Sequence, residues 1–143
     1  MKPDVDQILG ISAGQLTGAL APLLPGTYEM GSASLLGIMM LLSAQEYDRA
    51  ADIRVAENTD MRSLFRQCVS VIDDATLKSK LLHASQTRDN SLKISMLNSE
   101  NVELRRVLIA LQSHCEDKGL RDIERLIWDV LKASAERRLL KLA

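Results

Sequence analysis

The sequence predicts an all-α protein built as an antiparallel bundle of four to six helices, one or two of them long and the whole oligomeric. Three observations predict it. A run of 81 residues, Ile38 to Lys118, holds neither glycine nor proline. Aromatic residues make up 3% of the chain, so Leu, Ile, Met and Ala must fill the core, and most of these are good helix formers. Apolar residues recur at three- and four-residue spacing through most of that run.

The first helix is expected from Pro3-Asp4 to about Ala21. Proline suits the first turn, and Asp4 and Asp6 face the positive end of the helix dipole. Pro22 and Pro25-Gly26 break it, and 22–31 reads as a loop. Ser32 or Ser34 is the expected cap of a second helix. That helix opens with Leu35, Leu36, Ile38, Met39, Met40, Leu41 and Leu42, apolar all round and therefore expected to be buried on every side. Beyond it the stripe Leu36, Met40, Ala44, Tyr47, Ala51, Val55 is expected to face inward. Met61, Leu64, Phe65, Cys68 and Ile72 continue the pattern. Asn58-Thr59-Asp60 is either a cap or an exposed turn of a continuing helix.

A single helix of 81 residues would be ~120 Å long at 1.5 Å per residue, so the chain must fold back at one or more of Asp60, Asp73 and Asp89. Asp73 is the expected N-cap of a shorter helix carrying Leu77, Leu81 and Ala84. A seam of Ile94, Leu97, Asn101, Leu104, Leu108, Leu111 and Cys115 follows, ending at a Gly119 C-cap. A last helix, about Leu120 to Leu142, turns Leu120, Ile123, Ile127, Val130 and Leu131 inward.

Domain organisation is read as a single helical domain in two unequal parts. Residues 1–45 form a nearly uncharged, Gly/Pro-rich helical hairpin whose only charges are Lys2, Asp4, Asp6 and Glu29. Residues 46–143 form charged amphipathic helices. Formal net charge is −1, which gives no global field for nucleic acid, and none is expected as a partner. Nothing near Lys2 reads as a secretory leader. Cys68 and Cys115 lie in apolar helical patterns. They read as buried thiols of a cytoplasmic protein, with nothing requiring a disulfide.

No motif for catalysis stands out. The chain lacks Gly-x-Ser-x-Gly, a phosphate-cradling glycine loop and Cys-x-x-Cys, so no enzyme, catalytic residue or cofactor is expected. His83 and His114 are not preceded by Glu three positions earlier, unlike the pairs of di-metal bundles. His114-Cys115-Glu116-Asp117 carries metal-capable groups in a row, but adjacent helical residues point apart, so no metal is expected. Arg121, Arg125, Arg137, Arg138 and Lys141 suggest a mildly basic, solvated face.

The interaction candidates are three. Gly10, Gly14 and Gly18, four apart, make a groove that lets another helix approach closely. Leu36 and Met40 lie on the stripe of the second helix. Leu97, Asn101, Leu104 and Leu108 form a coiled-coil-like seam. There Asn101 either pairs with its equivalent in a partner helix or rotates to face water. The function expected is helix–helix protein interaction and self-assembly as a homo-oligomer. The alternatives are a peripheral membrane or lipid-binding module using residues 5–44, and a ligand- or metal-binding bundle around His114 and Cys115.

Overall fold

The computed structural model describes residues 4–140, and these form an all-α protein. Five α-helices are present among them: α1 (Val5–Gln15), α2 (Thr27–Cys68), α3 (Ala75–Gln86), α4 (Ile94–Lys118) and α5 (Arg121–Arg137). The chain divides into two compact units. One runs up to Ala50 and takes in Leu140; the other is Ala51–Leu139. The helix α2 contributes residues to both.

In the first unit, α1 does not end at Gln15 but loosens, through a π turn (Leu16–Leu20) and a 3-10 turn (Ala21–Leu23). Pro22 stands in that 3-10 turn, where its missing N–H costs least. The break is shorter than the sequence suggests. α2 starts at Thr27, so Ser32 and Ser34 are not caps; the Ser34 hydroxyl instead donates to the Met30 carbonyl at 2.9 Å. Pro25-Gly26 suffices as the stop. Glu29 sits in the first turn of α2, near the positive end of its dipole. A Cβ at Gly26 would meet only the end of the Glu29 side chain, which is flexible and can swing aside.

The same helix passes straight through Asn58-Thr59-Asp60, and Asp60 is not a fold-back point. Thr59 satisfies its hydroxyl within the helix, donating to the Val55 carbonyl at 2.7 Å, and so does not compete as a cap. The chain turns instead at residues 69–74 and 87–93. At the first turn Asp74, not Asp73, is the N-cap. Its backbone is extended and its Oδ1 accepts from the Leu77 N–H at 2.6 Å. At the second, Asp89 lies in the connection to α4. Gly119 closes α4 in the left-handed conformation, φ 67°, with the Leu120 N–H bonded to the Cys115 carbonyl at 2.9 Å. α5 stops at Arg137, short of the expected Leu142; Lys141 and Leu142 lie outside the described residues.

The second unit has an ordinary helical core. Met61, Leu64, Phe65, Cys68 and Ile72 meet Leu77, Leu81 and Ala84, the α4 residues Leu104, Leu108, Leu111 and Cys115, and Ile123 and Ile127 of α5. Each helix buries one stripe at three- and four-residue spacing and leaves its charged face to solvent. Deleting any fully buried Leu or Phe here removes both its transfer free energy and the packing around it.

Candidate interaction surface

The first unit is built the other way round. Its buried residues are Ala13, Ala21, Ala33, Gly37 and Ala50, none larger than alanine. α1 meets α2 where Ala13 and Thr17 lie on Gly37. A Cβ at Gly37 would stand 2.3 Å from Thr17 Cγ2 and 3.3 Å from the Ala13 carbonyl oxygen. Thr17 is held for this contact by donating its hydroxyl to the Ala13 carbonyl at 2.9 Å. The close approach between helices is thus made by Gly37. At Gly10, Gly14 and Gly18 an added Cβ would meet no described heavy atom within 4 Å, so the predicted groove is open in the chain. The Ala33-x-x-x-Gly37 spacing was the signal for the actual contact, masked by the apolar residues around it.

The large apolar residues of this unit point outward. Fourteen of them between Val5 and Tyr47 are exposed, Ile11, Leu35, Leu36 and Met39 by more than half. The expectation that Leu35–Leu42 is buried on every side therefore fails within one chain, and Leu36 does not lie on the inward stripe. The reason is geometric. Small residues at Ala33 and Gly37 let α1 come close, which fixes that side of α2 as the inner one and turns Leu35, Leu36, Ile38, Met39 and Leu41 away. Met40 is half-buried.

In the second unit Leu97, Asn101, Leu104 and Leu108 are all buried within the chain. Asn101 neither faces water nor awaits a partner copy; it joins a polar cluster linking α2, α4 and α5. Its amide donates to Glu57 Oε2 at 3.2 Å and Asn58 Oδ1 at 2.9 Å, and its Oδ1 accepts from Arg105 Nε at 2.7 Å. Glu57, 1% exposed, is the centre. Its Oε1 accepts from Ser134 Oγ and Arg138 Nε, both at 2.6 Å, and Oε2 accepts from Arg138 Nη2 at 2.7 Å, with Arg105 Nη2 at 3.6 Å. Alongside, Arg62 donates to Asp89 Oδ1 at 2.8 Å and Thr87 Oγ1 at 3.0 Å, and Asn58 donates to the same Asp89 oxygen at 2.9 Å.

Burial alone would push the Glu57 carboxyl up. The hydrogen bonds from Arg138 and Ser134, with the charges of Arg138 and Arg105, more than reverse this and hold it at about 2 instead of 4.5. Asp89 is lowered in the same way, burial being outweighed by Arg62 and Asn58. Glu57 is therefore an ionised acceptor with its lone pairs occupied, suited to tying helices together and unsuited to taking a proton. The void beside it, lined by Met61, Leu108, Val130 and Leu131 among others, is about 10 Å³, at or below what one water needs. Sequence reasoning missed this centre because Glu57 looks like one of many charges on a helical face. The one available hint was Asn101 in an apolar seam.

The remaining candidates are dispersed. Cys68 and Cys115 are free and buried. Burial, and then Cys115, pushes the Cys68 thiol up to about 11; burial, Glu124 and Glu116 raise Cys115. His83 is exposed and His114 half-buried. Among the described residues no three His, Cys, Asp or Glu side chains are grouped to hold a metal ion. Four arginines of the predicted basic face meet acids: Arg121 pairs with Glu124, Arg125 with Asp122, Arg137 with Asp60 and Arg138 with Glu57. No described helix is long and apolar enough to cross a membrane. No family model matches the chain, and no curated protein or solved structure is significantly similar to it.

Proposed function

We propose that this is a non-catalytic helical protein that acts through helix–helix contacts and self-assembles through its N-terminal hairpin. One observation carries the reading: the first unit buries nothing larger than alanine and exposes fourteen large apolar side chains. Together they expose on the order of 1,000 Å² of surface, an amount comparable to one side of a stable interface. Such a hairpin gains little from its own packing and needs a further surface to cover it. A second copy suits it. Between residues 7 and 45 the single charge is Glu29, so like surfaces meet without like-charge repulsion. The saturated cluster around Glu57 supports a structural part for the second unit.

The test is multi-angle light scattering at micromolar concentration, on the wild-type chain and on Leu35→Gln/Met39→Gln. Association expected of the wild type should be lost in the variant, with helicity retained. A wild-type chain that stays monomeric sinks the reading.

A second reading has an observation of its own. Small residues inside and large apolar residues outside is also how helices pair within hydrocarbon. The hairpin would then lie on a lipid surface. Against it, Lys2 is the one basic residue of the first 45, which offers anionic headgroups little. Flotation with phosphatidylcholine liposomes separates the two: the lipid reading requires the chain to float and to stop floating when residues 5–44 are deleted.

A further inference from the structure

The first unit takes in one described residue from beyond α5. Leu140 belongs to it and lines a groove of about 430 Å³ together with Met39, Leu42, Ser43, Glu46 and Tyr47 of α2. The five α2 positions recur at three- and four-residue spacing, so they form one stripe along the helix. At about 100° per residue this stripe lies well round from Ala33 and Gly37, which mark the side turned to α1. Leu35 and Leu36 stand one turn earlier on the same stripe, and both are exposed. The face on which self-assembly is proposed therefore has an occupant at its Met39–Tyr47 end. Leu140 is 40% exposed there, against 65% for its neighbour Leu139.

We propose that the segment following α5, anchored by Leu140, is a built-in competitor of self-assembly: it covers the Met39–Tyr47 end of the α2 stripe and has to leave before a second copy can cover the whole face. The inference rests on the self-assembly reading above and adds its regulation. Two observations select this occupant. Leu140 is already seated in the groove. The chemistry also matches, because residues 139–142 read Leu-Leu-Lys-Leu and the groove is largely apolar with one acid, Glu46. A second hairpin brings no basic residue between 7 and 45 to that acid. Met39 is where the two occupants collide: it lines the groove of Leu140, and it is 55% exposed on the stripe that the second copy needs. Displacing Leu140 gives up part of the burial of one leucine, which weakens association by roughly fivefold for each tail displaced. The wild type then still associates, at a higher concentration than its hairpin alone would require.

The test compares the full wild-type chain with full-length Leu140→Gln by sedimentation equilibrium across the micromolar range. The site lies outside α5 and outside the Glu57 cluster, and unchanged far-UV circular dichroism confirms that the variant is folded. The expected result is association of the variant at roughly fivefold lower concentration than the wild type. A second readout is amide exchange at the dilute end of the series, where residues 39–47 should exchange faster in the variant because their cover is gone. Association that is unchanged or weakened in the variant overturns the competition while leaving self-assembly intact. Unchanged exchange at 39–47 overturns it as well, since the tail then covers nothing. Chains that stay monomeric with and without the substitution overturn the self-assembly reading and the competition together.

Discussion

Replacing Glu57 by glutamine keeps the side-chain shape and removes the charge around which α2, α4 and α5 are tied. The effect can be worked from the structure. A carboxyl held at about 2 instead of 4.5 corresponds to ~3 kcal/mol at about 1.4 kcal/mol per unit. This is an upper limit, because Arg138 and Arg105 are 42% and 41% exposed and solvent screens their charges. Glutamine also presents an amide NH₂ to arginine donors, which leaves Arg138 without one of its acceptors. The expected loss is thus about 2–3 kcal/mol near pH 7. The sign of the pH dependence follows from the lowered value. The wild-type advantage is fully present above 4.5 and declines as the pH falls toward 2, where Glu57 takes up its proton in the folded state. Urea denaturation of wild type and Glu57→Gln at pH 7, 4 and 2.5 measures it, and the difference between the two curves removes the contribution of other carboxylates. A difference below about 0.5 kcal/mol at pH 7, or one that does not shrink on acidification, refutes the clamp.

Asp74→Ala should cost about 1 kcal/mol in thermal or urea unfolding, because the Leu77 N–H loses its acceptor, while Asp73→Ala should change little. Gly37→Ala should loosen the α1–α2 contact, read as faster amide exchange in residues 5–23. Gly10→Ala, with open space around it, should instead favour the helix by roughly 0.5–1 kcal/mol. Phe65→Ala, at the centre of the core, should destabilise the second unit by about 3–5 kcal/mol. Cys68 and Cys115 should react with a thiol reagent at pH 8 far more slowly in the native chain than in 6 M guanidinium, about the concentration that unfolds even very stable domains; equal rates would contradict their burial.

Helix as the material was legible because nothing in the sequence interrupts it, and the α4 seam was legible because each of its residues repeats one spacing. The breaks were harder. Asp60, Asp73 and Asp89 look alike as letters, yet Asp60 continues a helix and Asp73 yields the cap to its neighbour. What decides between them is whether a local hydroxyl or carboxylate finds a better partner elsewhere, as Thr59 does at Val55. The inward side of α2 was misread for a related reason. Hydrophobicity favours Leu36 as the buried residue, but the closest helix contact selects the smallest residue, Gly37. The Glu57 cluster was illegible because the partners of Glu57 stand 44 to 81 positions away from it in the chain.

The continuity of α2 has a consequence for how firmly its parts are held. Its hydrogen-bond ladder is the same kind from Thr27 to Cys68, but the burial behind the ladder is not. From Asn58 on, the helix is backed by Phe65, Leu64 and Met61, so its amides open only when the second unit does. From Tyr28 to Ala44 no residue larger than alanine is fully buried behind them, so those turns open locally unless other chains press on them. One helix thus carries a gradient of protection against exchange. In the proposed assembly the gradient would flatten as protein concentration rises, with the apolar end gaining protection and the charged end unchanged.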